Sequence, residues 1–210
     1  MSAFLVQSIE TTRADVRFDP EPEMLICRSL RGSYSLSKQT GAEISMNYKI
    51  AFGTPSDIPA ILALQESNLP ENGGSLSVRE AADWFTRASG EKSLVVARRD
   101  GKLVGYLLGT SIATKAHVPI IQEMLKTFPT SLDCYLYGPV CVTETERGKG
   151  LAGAMFEKLQ SHMRRPAITF VRADNGASLR ARRKMGMQDV GPFTNEGVSF
   201  VAFAFAAKSV

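Results

Sequence analysis

The sequence predicts a mixed α/β domain. Three observations carry that expectation. β-rich runs and helical stripes alternate along most of the chain. The dipeptide Asp100-Gly101 separates two β-rich runs at hairpin distance. An apolar run, CYLYGPVCV at 134–142, passes through a glycine-rich turn straight into a helical stripe. The first pattern argues for a sheet layered with helices, the second for antiparallel pairing early in the chain, and the third for a βαβ unit later.

Composition sets the bounds. The chain has 210 residues, enough for one ordinary domain or one domain with an appendage. Hydrophobic residues make up 44% and charged residues 22%, a globular balance that excludes disordered and fibrous classes. The net charge is +4 and the pI about 9.0. This mild basicity suits an anionic ligand and is too weak to mark a nucleic-acid protein. No apolar run approaches the roughly 20 residues that cross a bilayer. The start, MSAFLVQSIETTRADVRF, lacks a basic stretch followed by an apolar core. The expectation is a cytoplasmic protein with no secretory signal and no membrane partner. Cys134 and Cys141 share one expected strand, about 23 Å apart at about 3.3 Å per residue. With Cys27 they read as free thiols in a reducing compartment, with no zinc site.

Residues 1–45 mix charges, Ser and Thr with short apolar pieces and show no sustained period, so they are expected to form an appendage. The compact domain is expected over 46–210. Tyr48 to Phe52 suits a strand. Thr54-Pro55-Ser56-Asp57 reads as a helix start, with a Thr cap, Pro at the first helical position and an acid in the first turn. Ile58, Ile61, Leu62 and Gln65 follow at helical spacing. Asn68 to Gly74 is a loop by composition. Ser77-Val78-Arg79-Glu80 matches a capping box opening a second helix, with Trp84, Phe85 and Ala88 on its inner face.

Ser93–Arg99 and Lys102–Thr110 form the hairpin around Asp100-Gly101, and an amphipathic helix is expected over His117–Phe128. Cys134–Val142 is a strand that should break at Gly138-Pro139, because proline offers no donor to the ladder and glycine invites a bulge. Leu151, Met155, Leu159 and Met163 form the next helical stripe. Ala167–Val171 is a strand, Ala177–Met185 a basic helix closed by Gly186, and Val198–Phe205 a strand apolar on both faces and so covered on both.

The turn Arg147-Gly148-Lys149-Gly150 is where chemistry enters. The first turn of a helix presents unpaired N–H groups and partial positive charge. Glycines let the backbone turn sharply and approach a ligand, and Arg147 and Lys149 add mobile positive charge. Such a turn is a socket for phosphates. It is neither a Walker loop nor a dinucleotide fingerprint, since the spacings of both are missing.

The stretch Val142-x4-Arg147-Gly148-Lys149-Gly150-Leu151-Ala152 resembles the acyl-CoA signature of the GNAT superfamily of N-acetyltransferases, R/Q-x-x-G-x-G/A. Asn175-x2-Ser178 followed by Lys184-Met185-Gly186-Met187 resembles the second family signature. The likeness runs from about Tyr48 to Phe205 and includes the order of elements. It implies a mixed, mostly antiparallel central sheet with a splayed parallel strand pair and flanking helices. It also implies acetyl-CoA as the acyl donor with no metal, and a primary amine of a small molecule or peptide as the acceptor. Backbone N–H groups from Arg147 to Ala152 would hold the pyrophosphate of coenzyme A. Val140, Cys141 and Val142 would offer main-chain groups to the pantetheine arm, and the Val142 amide would stabilise the oxyanion. Asn175, with Ser178 in the same signature, would lie near the arm or acceptor. Arg183 or Lys184 would reach the 3′-phosphate or else form a solvated basic face. Dimers are frequent in the family, which allows a homodimer.

The chain departs from the family at one position. Many members carry a tyrosine seven residues after the asparagine, where it protonates the leaving thiolate. Here that residue is Arg182, which stays charged and cannot act as an acid near neutral pH. It either stabilises a thiolate electrostatically or is an ordinary surface residue. Tyr135 and Tyr137 are the other candidate donors. No base is marked, since Glu71 and Glu144 read as solvated carboxylates and His117 and His162 as structural. The departure keeps a second reading open, a non-catalytic domain that senses acyl-CoA. A nucleic-acid role for the basic helix is disfavoured, because the run is short and lacks interleaved aromatics.

Overall fold

The computed structural model describes residues 48–76, 78–129 and 134–206. The expected appendage at 1–45, Cys27 and Ser77 lie outside the described residues. Among the described residues seven strands form one sheet in the order β1-β2-β3-β4-β5-β7-β6. The strands are β1 (Tyr48–Phe52), β2 (Leu94–Arg99), β3 (Lys102–Ser111), β4 (Tyr135–Val142), β5 (Ala167–Arg172), β6 (Gln188–Asn195) and β7 (Val198–Phe205). Every neighbouring pair is antiparallel except β4 and β5. This is the mixed, mostly antiparallel sheet with one parallel pair that the sequence led us to expect.

Local chemistry explains most of the ends. Thr54 caps a short 3₁₀ turn, Pro55–Asp57, that runs into α1 (Ile58–Glu66). The Asp57 carboxylate accepts from the Thr54 amide at 2.8 Å, which ties the entry together, and it also binds Arg98. Asp100 and Gly101 have φ of 50° and 79°, the positive values a primed hairpin turn demands. Asn195-Glu196-Gly197 closes the last hairpin between β6 and β7.

Two helices start elsewhere than expected. α2 spans Ala82–Gly90, so the capping box at 77–80 does not open it. Glu80 is drawn instead into the interior. Its amide donates to Gln65 Oε1 and its carbonyl accepts from Gln65 Nε2, both at 2.9 Å. A short helix where none was expected, α3 (Ile112–Lys115), follows β3, and α4 (Pro119–Thr127) falls within the helix expected over His117–Phe128, starting at Pro119 because proline favours a first helical position. α5 (Leu151–Met163) and α6 (Gly176–Lys184) complete the chain.

The sheet separates two layers. α5 packs on one face, with Leu151, Met155, Phe156 and Leu159 against Val95, Leu107, Tyr135, Tyr137 and Phe203. α1 and α2 cover one half of the other face, over Leu94, Val96, Tyr106 and Leu108. α4 covers the other half, over Ile168, Phe200 and Ala202. β7 lies between β5 and β6 and is covered on both faces, as its apolar sequence requires.

Candidate functional site

The site begins with a defect in β4. Its register against β3 shifts between Leu107 and Gly109, where Leu107 faces Val140 and Gly109 faces Tyr137. Gly138 and Pro139 therefore bulge opposite Leu108. Gly138 has φ of 112°, a conformation that excludes side-chained residues, and Pro139 has no amide to pair. The bulge flips the side-chain alternation. Tyr137 packs toward α5, whereas Cys141 packs with α1 and α2 on the opposite face. β4 also leaves β5 at this point. The two strands pair only at Tyr135–Ala167 and Leu136–Ile168, and then diverge.

A cleft of about 1460 Å³ fills the opening. It passes through the sheet. Phe156, Arg182 and Met185 line it on the α5–α6 side, and Glu80, Lys115, Val118 and Phe170 on the other. The Thr143 amide donates to Val104 of β3, so strand alternation turns the amides of Val142 and Val140 toward the gap.

The glycine turn stands at the open end of this gap. Gly148 and Gly150 have φ of 78° and 81°, and Gly150 caps α5 with no side-chain hydrogen bond. The first amide of α5 to find a partner is Ala154, bonded to Gly150 O at 3.0 Å. Those of Gly148 to Gly153 have no protein acceptor among the described residues. Arg147 differs from expectation, because its own amide donates to Glu144 O at 3.2 Å and is engaged.

The charges around the turn are not mobile, which corrects the sequence reading. Glu146 is buried and gathers three donors, Tyr48 Oη, Arg99 at 2.8 Å and Lys149 at 2.8 Å. Lys149, then Tyr48 and Arg99, hold its carboxyl down at about 2. Lys149 is bound to this carboxylate and does not border the cleft. Arg147 borders the cleft, but its guanidinium is tied to Val142 O at 3.3 Å and Asn68 Oδ1 at 2.6 Å. Together they staple the turn to the sheet and to α1.

Asn175 and Ser178 stand at the start of α6, across the gap, and both border it. Asn175 Oδ1 accepts the Ser178 amide at 3.0 Å, an N-cap, which leaves the Asn175 Nδ2 group for the cleft. Arg182 is not a surface residue. It is 7% exposed, lies over the Tyr137 ring at 4.6 Å, and its Nε is buried without a partner. It is inside because Tyr137 offers a ring face at the end of the β4–β5 pairing. The basic run of α6 is therefore not one solvated face. Arg183 is exposed and pairs with Asp189 at 3.4 Å, while Lys184 is exposed and borders the cleft.

Several groups were not visible in the sequence. Glu80 and Lys115 form a buried bidentate pair at 2.8 and 2.9 Å on the α1–α4 side of the cleft. Lys115 rests on the Trp84 ring at 3.8 Å, so Trp84 supports a charge whereas Phe85 is core. The only hint was chemical type, since no local spacing links positions 80 and 115. Glu71 is exposed and bound to Arg79 at 2.5 Å, and Glu144 is exposed. His162 packs its ring edge-on to Phe52. Burial pushes the Cys141 thiol up to about 11, so it stays neutral and is a poor nucleophile near neutral pH. Among the described residues no helix is long and apolar enough to cross a membrane, and no group of three or more His, Cys, Asp or Glu could hold a metal ion.

Residues 58–187 match the Acetyltransferase (GNAT) family. No curated protein matches the chain in sequence. Among solved structures, an N-acetyltransferase from Staphylococcus aureus Mu50 superposes with a TM-score of 0.58 at 19% identity, covering 77% of this chain and 99% of that one. A protein from Salmonella typhimurium, solved with its cofactor acetyl-CoA, gives 0.57 at 15% identity, covering 78% and 96%. The ribosomal-protein-S18-alanine N-acetyltransferase of Escherichia coli gives 0.53 at 15%, also covering 78% and 96%. At these identities the likeness is one of fold.

Proposed function

The chain belongs to the GNAT acetyltransferase family, and from that premise we propose that it moves an acetyl group from acetyl-CoA to a primary amine of a small molecule or peptide by direct attack. One observation carries the reading. Unpaired amides at the head of α5 open onto the same cleft as the gap-facing amides of Val140 and Val142. The first set suits a diphosphate. The second suits an arm laid beside β4 in place of the missing strand. The amides of Gly148 to Ala152 would hold the phosphates, with Arg147 and Lys149 shaping the turn rather than binding directly. Between them, Val140 and Val142 would serve the pantetheine arm and the thioester oxygen, whose developing charge a fixed amide stabilises. Cys141 supplies backbone between them. The free Asn175 amide group faces the arm from the other wall, beside Ser178.

Direct attack fits the thiol chemistry, because Cys141, the one cysteine among the described residues that borders the cleft, is held neutral by burial. The acceptor would enter from the α1–α4 side, past Glu80, Lys115 and the apolar wall of Val118 and Phe170. Its amine must arrive deprotonated, and proximity to the thioester then supplies much of the rate.

Calorimetry with coenzyme A, followed by free-thiol release from acetyl-CoA across a panel of amines, tests the proposal. Binding with turnover supports it. Binding with no turnover on any amine points to an acyl-CoA sensor. No heat at millimolar coenzyme A removes the donor site.

A further inference from the structure

Arg182 presents an electrostatic problem that the fold leaves open. The residue is 7% exposed, and no carboxylate among the described residues pairs with its guanidinium. The Nε atom is buried and unbonded. Among the described residues no hydrogen bond or ion pair engages the two terminal nitrogens, and Arg182 borders the cleft. The guanidinium lies over the Tyr137 ring at 4.6 Å. A buried cation without a counter-ion favours any anion that enters its pocket.

Position says which anion. Tyr137 is the first residue of β4 beyond its last pairing with β5, so Arg182 marks the closed end of the gap. The phosphate socket marks the open end. An arm laid from the socket along Val142 and then Val140 would head toward Arg182. Among the described residues both tyrosines near that end are otherwise engaged. The Tyr137 hydroxyl is directed at Met185 Sδ, 3.9 Å away, and Tyr135 donates to Gln160 at 2.7 Å. Burial raises both phenols, although Arg182 pulls Tyr137 partly back.

We propose that Arg182 is the charge partner of the departing coenzyme A sulfur, so that the sulfur leaves as a thiolate without a proton donor; this rests on the donor-binding reading above. The amine lone pair forms the new N–C bond, the C–S bond breaks, and its electron pair stays on sulfur beside the guanidinium. The surplus proton on nitrogen passes to water, and the thiolate takes a proton from water after it leaves. A donor whose acyl chain ended in a carboxylate would offer the same cation a standing charge, so the test separates the two sources.

The other ionisable groups near the guanidinium are few. Tyr137 and Cys141 stand on β4, Glu157 is exposed on α5, Lys184 is exposed on α6, and Arg183 is paired with Asp189 of β6; β5 contributes Thr169, Phe170, Val171 and Arg172 to the cleft, with Arg172 paired to Asp174 at 2.6 Å. The experiment measures the affinity of coenzyme A relative to desulfo-coenzyme A by calorimetry at pH 7 and pH 9, for wild type, R182Q and R182K. For wild type the ratio should rise roughly tenfold across a thiol of ordinary pKa about 8.5. R182Q should show no rise and R182K a partial one, with desulfo-coenzyme A binding in each variant reporting an intact fold. A flat wild-type ratio, or a rise that R182Q keeps, overturns the inference. So does a loss on R182Q confined to succinyl-CoA, which would assign the cation to an acyl carboxylate. If neither coenzyme A form binds wild type at all, the donor site itself is wrong.

Discussion

Two sets of cations stand near the same cleft in opposite circumstances. At the head of α5, Lys149 and Arg99 meet the buried Glu146, and Arg147 meets Val142 O and Asn68. On α6, Arg182 meets a ring face and no acid. The paired set shapes backbone. It fixes a turn whose amides stay free, and fixed dipoles need no rearrangement when charge arrives. The unpaired cation shapes nothing and keeps its charge for a ligand. Positive charge in a cleft is thus two different devices, told apart by whether the protein supplies the anion.

The largest expected effect breaks the first device. Gly150 has φ of 81°, where a β-branched residue is strongly disfavoured. In Gly150→Val the turn must rebuild and its amides disperse. Coenzyme A affinity should fall roughly 100-fold, about 2.7 kcal/mol. Calorimetry on a variant with unchanged circular dichroism checks it. An unchanged affinity would mean that the phosphates sit elsewhere.

Glu146→Gln is the next step down, because it frees two cations without touching the turn residues. Coenzyme A affinity should drop about tenfold, roughly 1.4 kcal/mol, as the turn loosens. If free cations near the turn were what phosphates need, the variant would bind more tightly. Acid provides a second check. The Glu146 carboxyl is depressed from 4.5 to about 2, so its contribution to stability is complete above 4.5 and disappears as pH falls toward 2. The gap in melting temperature between wild type and Glu146→Gln should close over that interval and stay constant above it.

The paired device also shows what a sequence can reveal. The Asp100-Gly101 hairpin, the Thr54 entry, the break at Gly138-Pro139 and the glycine turn were all legible, because each depends on the φ range or missing donor of one or two residues. Both family signatures lie in such local stretches. Glu146 was not legible. In the stretch TETER it looks like one of two solvated acids, and its partner Tyr48 lies 98 positions away. Arg182 was marked by its place in the second signature, but its burial was not legible, since it stands in a run of basic residues. Glu80 fitted a capping box until Gln65 and Lys115 claimed it from other elements. Local rules found the scaffold of the site, and distant pairing decided its electrostatics.

Asn175 belongs partly to each device, and substitutions separate its roles. Asn175→Ala should cost about 1 kcal/mol through loss of the α6 cap. Asn175→Ser keeps a capping oxygen but removes the Nδ2 donor that faces the cleft. It should restore most of the stability and leave any loss in coenzyme A affinity in place. Thermal melts read the first quantity and calorimetry the second. If both variants bind coenzyme A like wild type, Asn175 only caps the helix.

The smallest effect sharpens the second device. Tyr137→Phe keeps the ring beneath Arg182 and removes a hydroxyl whose one contact is a weak one, to Met185 Sδ at 3.9 Å. Stability should change by no more than about 0.5 kcal/mol, and the pH dependence of coenzyme A binding should survive intact. The ring face, not the phenol, holds the guanidinium in place. A fall in single-turnover acetyl transfer in Tyr137→Phe, with coenzyme A binding unaltered, would instead make the hydroxyl a proton donor. Arg182 would then be the support of an acid rather than its replacement.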